Sequence, residues 1–305
     1  MYKYLYRSIK DKKMAVQQKK RIGSWIIGEK LTQTDIDALV ERHGFDPDVL
    51  DDALDYFEVP RFESSRDIPY FFTRYPVNTA DGEASTAPVM VAISNDYLAT
   101  LFNIQAPAFV ARLQKRDQSY TTQRVRFFLE FMEELATDYE KNLSSIRKET
   151  TRYFGNFHAI SDSEIEHFVG LESTVTDYIS ALSPTKTALK RMLASPTIVM
   201  HPEDVDLVED LTQDIDQLIE TARSLQLTIQ NIRDAYSTIL TNKLNRTIRF
   251  LTTITIVLTM PTLIASMFGM NTWVPFGNDP ISFLYVILTM LVATALFGLL
   301  VVIRR

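Results

Sequence analysis

Two sets of side chains in this 305-residue chain have types and spacings that could act on ions. Thr252, Thr255, Thr259, Thr262 and Ser266 recur at intervals of 3, 4, 3 and 4 residues, which puts five hydroxyls on one helix face. Thr241, Asn245 and Ile248 extend that face toward the N-terminus, and Asn271 ends it with an amide. Such a face can glue helices together by packing and hydrogen bonding. Alternatively, in a ring of several chains, it lines a conduit with hydroxyls and amides and no fixed charge. That lining suits a cation travelling with much of its water, because hydroxyls bond hydration-shell waters without stripping them. The second set is acidic. Glu203, Asp204, Asp206, Glu209, Asp210, Asp214, Asp216 and Glu220 follow one another with no Lys or Arg between them. Asp206, Asp210 and Asp214 stand four apart on one face, where like charges repel and a divalent cation would relieve the repulsion. The other reading is a solvated acidic face near a helix N-terminus.

Other chemistries lack their residues. With no Cys there is no disulfide, thiolate metal site or Cys nucleophile. His43, His158, His167 and His201 are scattered, with no HExxH or His-x-His pair. The run Gly23-Ser24-Trp25-Ile26-Ile27-Gly28-Glu29-Lys30 has P-loop glycine spacing, but Glu29 interrupts the ending that phosphate contacts need, and it reads as a strand. No Gly-x-Ser-x-Gly turn occurs. No enzyme reading survives, and no organic cofactor is called for. The net charge of −6, without a long basic stripe, argues against a nucleic-acid partner.

The elements that must position the hydroxyls are membrane helices. From Phe250 to Ile303 the only charged side chain is Asp279. This tail (250–305) divides into apolar runs at 250–270 and 281–303, joined by a loop at 271–280. At about 1.5 Å per residue each run crosses a hydrocarbon core of roughly 30 Å. Pro261 lies in the first run, and a kink there is tolerated in a membrane bundle. Lys243, Arg246 and Arg249 precede the first span and Arg304 and Arg305 follow the second, while the loop has neither Lys nor Arg. The positive-inside rule then puts both termini in the cytoplasm and the loop outside, as a multi-pass protein surrounded by lipid.

The remainder reads as a cytoplasmic α+β part. Residues 1–21 are basic without an apolar run behind them, which reads as a flexible tail rather than a secretory signal, with Met14 as an alternative start. Over residues 22–200, Ile22–Ile27, Ile68–Tyr75 and Val89–Ser94 read as strands. Thr34–Arg42, Asp46–Phe57, Ser119–Phe154 and Asp162–Ala194 read as helices, and Asn78–Pro88, with Asp81-Gly82, as a turn. A helical layer on a small sheet, in an α/β/α arrangement, is expected. Residues 201–249 form a stalk, since neither Gly nor Pro interrupts the chain between Pro202 and Pro261. Leu211, Leu218, Leu225, Ile232 and Ile239 alternate along it with Ile215, Ala222, Ile229 and Tyr236 in strict heptads. That seam either joins protomers or docks helices of the same chain.

Gly269-Met270-Asn271 at the close of the first of two C-terminal spans resembles the signature of the CorA-type magnesium transporters. The surrounding Met260-Pro261-Thr262, Ile264-Ala265 and Phe268, and Asn242-Lys243 before the span, are similar as well. Zinc-carrying relatives usually have Ile at the centre of the tripeptide, so Met270 favours magnesium, with Co2+ and Ni2+ as further cargo. The resemblance implies a funnel-shaped homopentamer in the plasma (inner) membrane, with the long helix lining the pore. It places Gly269, Met270 and Asn271 at an outer selectivity filter. Asn245, Ile248 and Leu251 fall at an inner constriction, with Thr252, Thr255, Thr259, Thr262 and Ser266 along the wall. It also implies a regulatory Mg2+ site between subunits, matching Asp210 to a sensor aspartate and Asp52 to its partner on the neighbouring chain, with Asp206 and Asp214 beside it. Phe268 departs from the family's usual Tyr, Asp279 is the loop's only acid, and two terminal Arg make a thin basic ring. The alternatives are a zinc-carrying relative and a membrane-anchored metal sensor without a pore.

Overall fold

The computed structural model describes residues 2–78, 84–153, 161–270 and 281–303. The chain divides into two compact units, Met1–Arg233 and Asp234–Arg305.

The first unit is built on a seven-stranded mixed sheet. Its strands are β1 (Tyr2–Tyr6), β2 (Ala15–Gln17), β3 (Ser24–Glu29), β4 (Arg61–Ser65), β5 (Ile68–Asn78), β6 (Ala84–Ile93) and β7 (Tyr97–Phe102). They lie in the order β2-β1-β3-β7-β6-β5-β4, and only the β3–β7 pair is parallel. The period-2 alternation of side chains sorts the core into two layers. Ile26, Tyr70, Phe72, Met90 and Ala99 pack with α1 (Gln33–His43) and α2 (Pro47–Leu54). On the other face Trp25 meets Phe127 at 4.8 Å between ring centroids and Phe71 meets Phe128 at 5.1 Å. Both partners come from α4 (Arg124–Tyr153), which follows the short α3 (Ala108–Lys115). The Thr73 and Thr185 hydroxyls, 2.9 Å apart, tie the same face to α5 (Asp162–Leu193). The expected α/β/α layering is present.

Helix ends follow their caps. Thr32 and Asp35 form a reciprocal capping box at the start of α1, and Gly44 ends it in the left-handed region at φ 71°. Asp46 caps α2 ahead of Pro47, and that helix stops at Leu54, three residues short of the expected Phe57.

The structure corrects the reading of residues 1–21 as a flexible tail. Tyr2–Tyr6 and Ala15–Gln17 are strands, with Tyr4 opposite Ile26 and Leu5 buried. The abundance of Lys and Arg hid the alternation, and three of the cations are tethered. Arg7 donates to the Arg116 carbonyl at 2.7 Å, and Lys20 and Arg21 sit over the Tyr97 and Tyr6 rings. Asn78 and Pro88, expected in a turn, belong to β5 and β6; Pro88 is tolerated because pairing with β7 begins only at Val89. Asp81 and Gly82 lie outside the described residues, as do Phe154, Asn271, Asp279, Arg304 and Arg305.

The heptad stalk and the first apolar run are one helix, α6 (Pro202–Phe268), of 67 residues. Its heptad seam docks within the chain. Leu211, Ile215, Leu218, Ala222, Leu225, Ile229 and Ile232 are all buried in a single copy. Alongside, Gln226 reaches Thr176 of α5 at 2.9 Å, and Arg233 and Lys186 form ion pairs with Glu172 and Asp216 across the α5–α6 contact. The final element, α7 (Ser282–Ile303), has 22 residues and no charged side chain, about 33 Å of apolar helix.

His43 gives the first unit a pH dependence. It is buried, edge-on to the rings of Tyr2, Tyr97 and Phe45 and bonded through Nε2 to Tyr4 Oη at 3.0 Å. Burial, then the Lys20 and Arg42 charges, lower its pKa from 6.5 to about 4. The unfolded chain therefore binds a proton that the folded one refuses. Stability is fully present above pH 6.5 and falls as the pH drops toward 4, by about 2 kcal/mol at pH 5. Denaturation of the full-length protein in detergent should show this loss, and His43→Gln should flatten it. An equal slope in both proteins would contradict the assignment.

Candidate ion pathway and acidic site

In the second unit the hydroxyl stripe is the open side of α6. Thr252, Thr255, Thr259, Thr262 and Ser266 are all exposed in a single chain. Between residues 250 and 268 the half-covered positions are Thr253, Ile256, Val257, Met260, Pro261 and Ile264, on the opposite side of the helix. On α7, among the residues whose burial is described, the half-covered positions are Val286, Met290, Ala293, Thr294 and Gly298, again on one face. The apolar stretch of α6 is long enough to cross a membrane, and none of it is buried by its own chain.

The hydroxyls themselves are already committed as donors. Thr252 donates to Ile248 O at 2.8 Å, Thr255 to Leu251 O at 2.9 Å, Thr259 to Thr255 O at 2.7 Å and Thr262 to Leu258 O at 3.0 Å. A helical Thr satisfies its proton this way at the cost of slight bending. Its remaining lone pairs point off the helix as acceptors. Thr253 makes the same bond to Arg249 O at 2.7 Å, so exposure, rather than the back-bond, sets the stripe apart.

At the N-terminal end of the stripe, Asn245, Ile248 and Leu251 are exposed, with Leu244 and Leu240 beside them. A run of bare aliphatic side chains on a helix marks a surface that something else covers. At the other end the Gly269 amide caps Ala265 O at 3.0 Å, and a Cβ on Gly269 would press to 3.3 Å from that same oxygen. Glycine lets the chain leave the helix without that crowding. Met270 is exposed, and Asn271 falls outside the described residues.

The acidic ladder lies in the first unit, on the opening turns of α6. Three of its eight acids have cations: Glu203 faces Arg126 at 3.8 Å, Glu220 bonds Arg223 at 2.7 Å, and Asp216 pairs with Lys186. Asp204 is buried and accepts from the His201 amide at 3.3 Å. Asp206, Glu209, Asp210 and Asp214 are exposed and make no ion pair among the described residues. Partial burial, then Asp210, Glu133 and Glu140, raise the pKa of Asp214. The last two acids belong to α4, so the ladder is repelled from a second helix as well as along its own. Among the described residues, no three acidic or His side chains of one chain converge as a metal cage.

Asp52, near the end of α2, is held by a cation that sequence reasoning missed. Its Oδ2 accepts from Arg61 Nη2 at 2.7 Å, while Arg61 also bonds Glu63 at 3.1 Å and pairs with Glu58. The guanidinium lies 4.1 Å from the Phe72 ring centroid. One Arg thus serves three carboxylates from α2, the following loop and β4. The alternation Arg61-x-Glu63 would place both side chains on one strand face, but with β4 unread there was no strand to place them on. No hydrogen bond joins Asp52 to Asp210 within one chain among the described residues.

Comparison with known proteins supplies the family. A family model described as "CorA-like Mg2+ transporter protein" matches residues 22–305. The curated "Cobalt/magnesium transport protein CorA" of Methanocaldococcus jannaschii is 24% identical over 270 residues, 85% of this chain and 83% of that protein. The complete structure of the CorA magnesium transporter from the same organism superposes with a TM-score of 0.85 at 20% identity, covering 100% of this chain and 98% of that one. The full-length CmaX protein gives 0.77 at 15% identity, with 100% and 97% covered. The cytoplasmic domain of ZntB from Vibrio parahaemolyticus gives 0.61 at 12% identity, over 79% of this chain and 98% of that one.

Proposed function

This chain belongs to the CorA-like Mg2+ transporter family, a family of membrane-embedded divalent-cation transporters rather than enzymes, and from that membership we propose that it carries hydrated Mg2+ through a pore lined by the exposed hydroxyl face of α6. The observation that carries the reading is the state of those hydroxyls. Each of the four Thr has given its proton to the carbonyl one turn back, so what it offers outward is lone pairs. Waters bound to Mg2+ present their protons outward, and Mg2+ gives up its waters reluctantly. A wall of neutral acceptors therefore bonds the hydrated ion without dehydrating it and without a fixed charge that would trap it.

One α6 cannot enclose a path, so several copies are required, a homopentamer by family resemblance. Both termini are cytoplasmic, α6 and α7 are the two spans of a plasma (inner) membrane protein, and Asn271 forms the outer filter ring. Ile248 and Leu251 supply the apolar constriction near the inner end. Met270 favours Mg2+ over Zn2+ as cargo, with Co2+ and Ni2+ also carried. A purely anchoring pair of spans would have no use for a hydroxyl face left open by its own chain.

Uptake of Mg2+ into proteoliposomes tests the wall. Thr255→Val and Thr259→Val keep shape but remove the acceptor, and each should cost about tenfold in flux, the equivalent of about 1.4 kcal/mol at the barrier. Thr253→Val, on the half-covered side, should stay within about twofold by the same scale. Asn271→Ala should abolish flux with the oligomer intact. Near-normal flux in the Thr255, Thr259 and Asn271 variants would sink the pore reading.

Gating belongs to the same proposal. Cytoplasmic Mg2+ bridges Asp210 of one subunit and Asp52 of its neighbour, with Asp206 and Asp214 adding charge, and holds the pore closed. Without the ion, carboxylate repulsion separates the subunits and α6 carries the displacement to Ile248 and Leu251. The ion acts only through its different affinities for the two states. Arg61 already compensates Asp52, which keeps the site weak, as feedback by an ion abundant in the cell requires. In Asp52→Asn/Asp210→Asn, inhibition by internal Mg2+ should need a several-fold higher concentration while uptake persists. Inhibition unchanged from wild type would make the ladder a solvated face.

A further inference from the structure

We infer that Arg61 sets the Mg2+ concentration at which transport is shut off, by exchanging with the ion for the Asp52 carboxylate. The inference rests on the gating reading above, and it adds to that reading a tuning residue, its mechanism and the sign of its effect.

Arg61 opens β4 opposite Phe72 of β5, and that register seats its guanidinium 4.1 Å from the Phe72 ring centroid. Four hydrogen bonds leave the guanidinium, and they are unequally shared. Glu63, two residues along the same strand face, accepts from Nε at 3.2 Å and from Nη2 at 3.1 Å as a fork. Glu58 accepts from Nη1. Asp52 accepts one bond, through Oδ2 from Nη2 at 2.7 Å, and its Oδ1 takes none among the described residues.

Exposure separates the three carboxylates. The side chain of Asp52 is 51% exposed, against 35% for Glu63 and 13% for Glu58. Asp52 is thus the most open of the three and is held by a single bond. One cation among three carboxylates leaves the group two charges negative, so a divalent cation is drawn toward it.

These features make Asp52 transferable. When its carboxylate turns to Mg2+ or to the waters of that ion, Arg61 keeps three of its four bonds and the Phe72 ring, so no charge is stranded. When the ion leaves, Arg61 takes Asp52 back and stabilises the ion-free state. The ion must therefore displace a resident cation, which raises the concentration it needs. A half-exposed ion pair shifts such an equilibrium only a few-fold, the size of a tuning effect rather than a block.

Inhibition of Mg2+ uptake by internal Mg2+, measured on the full-length protein in proteoliposomes, tests this. Arg61→Gln should lower the half-inhibiting concentration about threefold. Arg61→Lys should lower it too, because one ammonium stays with the more covered Glu58 and cannot fork to Asp52. Glu63→Gln should act in the opposite direction and raise it about twofold, since the guanidinium then turns more fully to Asp52. A side chain that merely supports the fold would not give shifts of opposite sign. In an Asp52→Asn background, Arg61→Gln should have no further effect. An equal shift in that background, or an unchanged threshold in Arg61→Lys, would reduce Arg61 to a distant charge and overturn the inference. If Arg61→Gln fails to fold, a threshold lowered or unmoved in the half-exposed Glu63→Gln variant overturns it alone. Asp52→Asn by itself separates the two readings. If it raises the threshold while the Arg61 and Glu63 variants leave it unmoved, only the present inference falls; if it leaves the threshold at the wild-type value, the gating reading falls and takes the inference with it.

Discussion

A hydroxyl on a helix that meets lipid or a narrow pore must place its proton somewhere, and on α6 it goes to the carbonyl one turn back. That bond decides what the helix offers to anything alongside it. It removes the donor, keeps the acceptor, and leaves the backbone ladder intact over 67 residues. The same helix serves two masters in succession. Along its first eight turns its apolar seam is buried against its own chain; beyond Arg233 none of its side chains is fully buried, and the hydroxyl stripe is exposed. In a single copy the hydroxyl face of the second unit is left exposed.

How much of this was legible in the sequence depended on whether one element's pattern stood alone. The heptads of α6 and the apolar runs were plain because charge or apolarity repeats over many turns. Strands β3, β5 and β6 showed through their aromatic and β-branched content, while β7, between β3 and β6, was not read. β1 was hidden beneath its neighbouring lysines, and β4, Arg61–Ser65, has the composition of a loop and is a strand because β5 pairs with it. Whether the seam joined subunits or helices of one chain was undecidable from spacing, since both burials demand the same residues. Gln226, Arg233 and Lys186 settle it by reaching across to or from α5.

The candidate site was legible in its residue types and only partly in its circumstances. Spacing put Asp206, Asp210 and Asp214 on one face, but Glu133 and Glu140, which press on Asp214, come from α4, far earlier in the chain. Arg61 beside Asp52 is likewise a tertiary fact. Both matter physically in opposite directions. The α4 acids add to the repulsion a cation would relieve, and Arg61 subtracts from it. The proposed site between subunits, set between these two effects, would suit weak, reversible occupation by a hard cation rather than permanent binding.

The central claim is that the open hydroxyl face of α6 lines a water-filled path. Because the chain has no Cys, single cysteines placed from residue 252 to 266 can be read without background. In membranes containing the assembled protein, a hydrophilic thiol reagent should label positions 252, 255, 259, 262 and 266 and spare 253, 256, 257, 260 and 264. Labelling with no helical period, or labelling confined to the second set, would contradict the account.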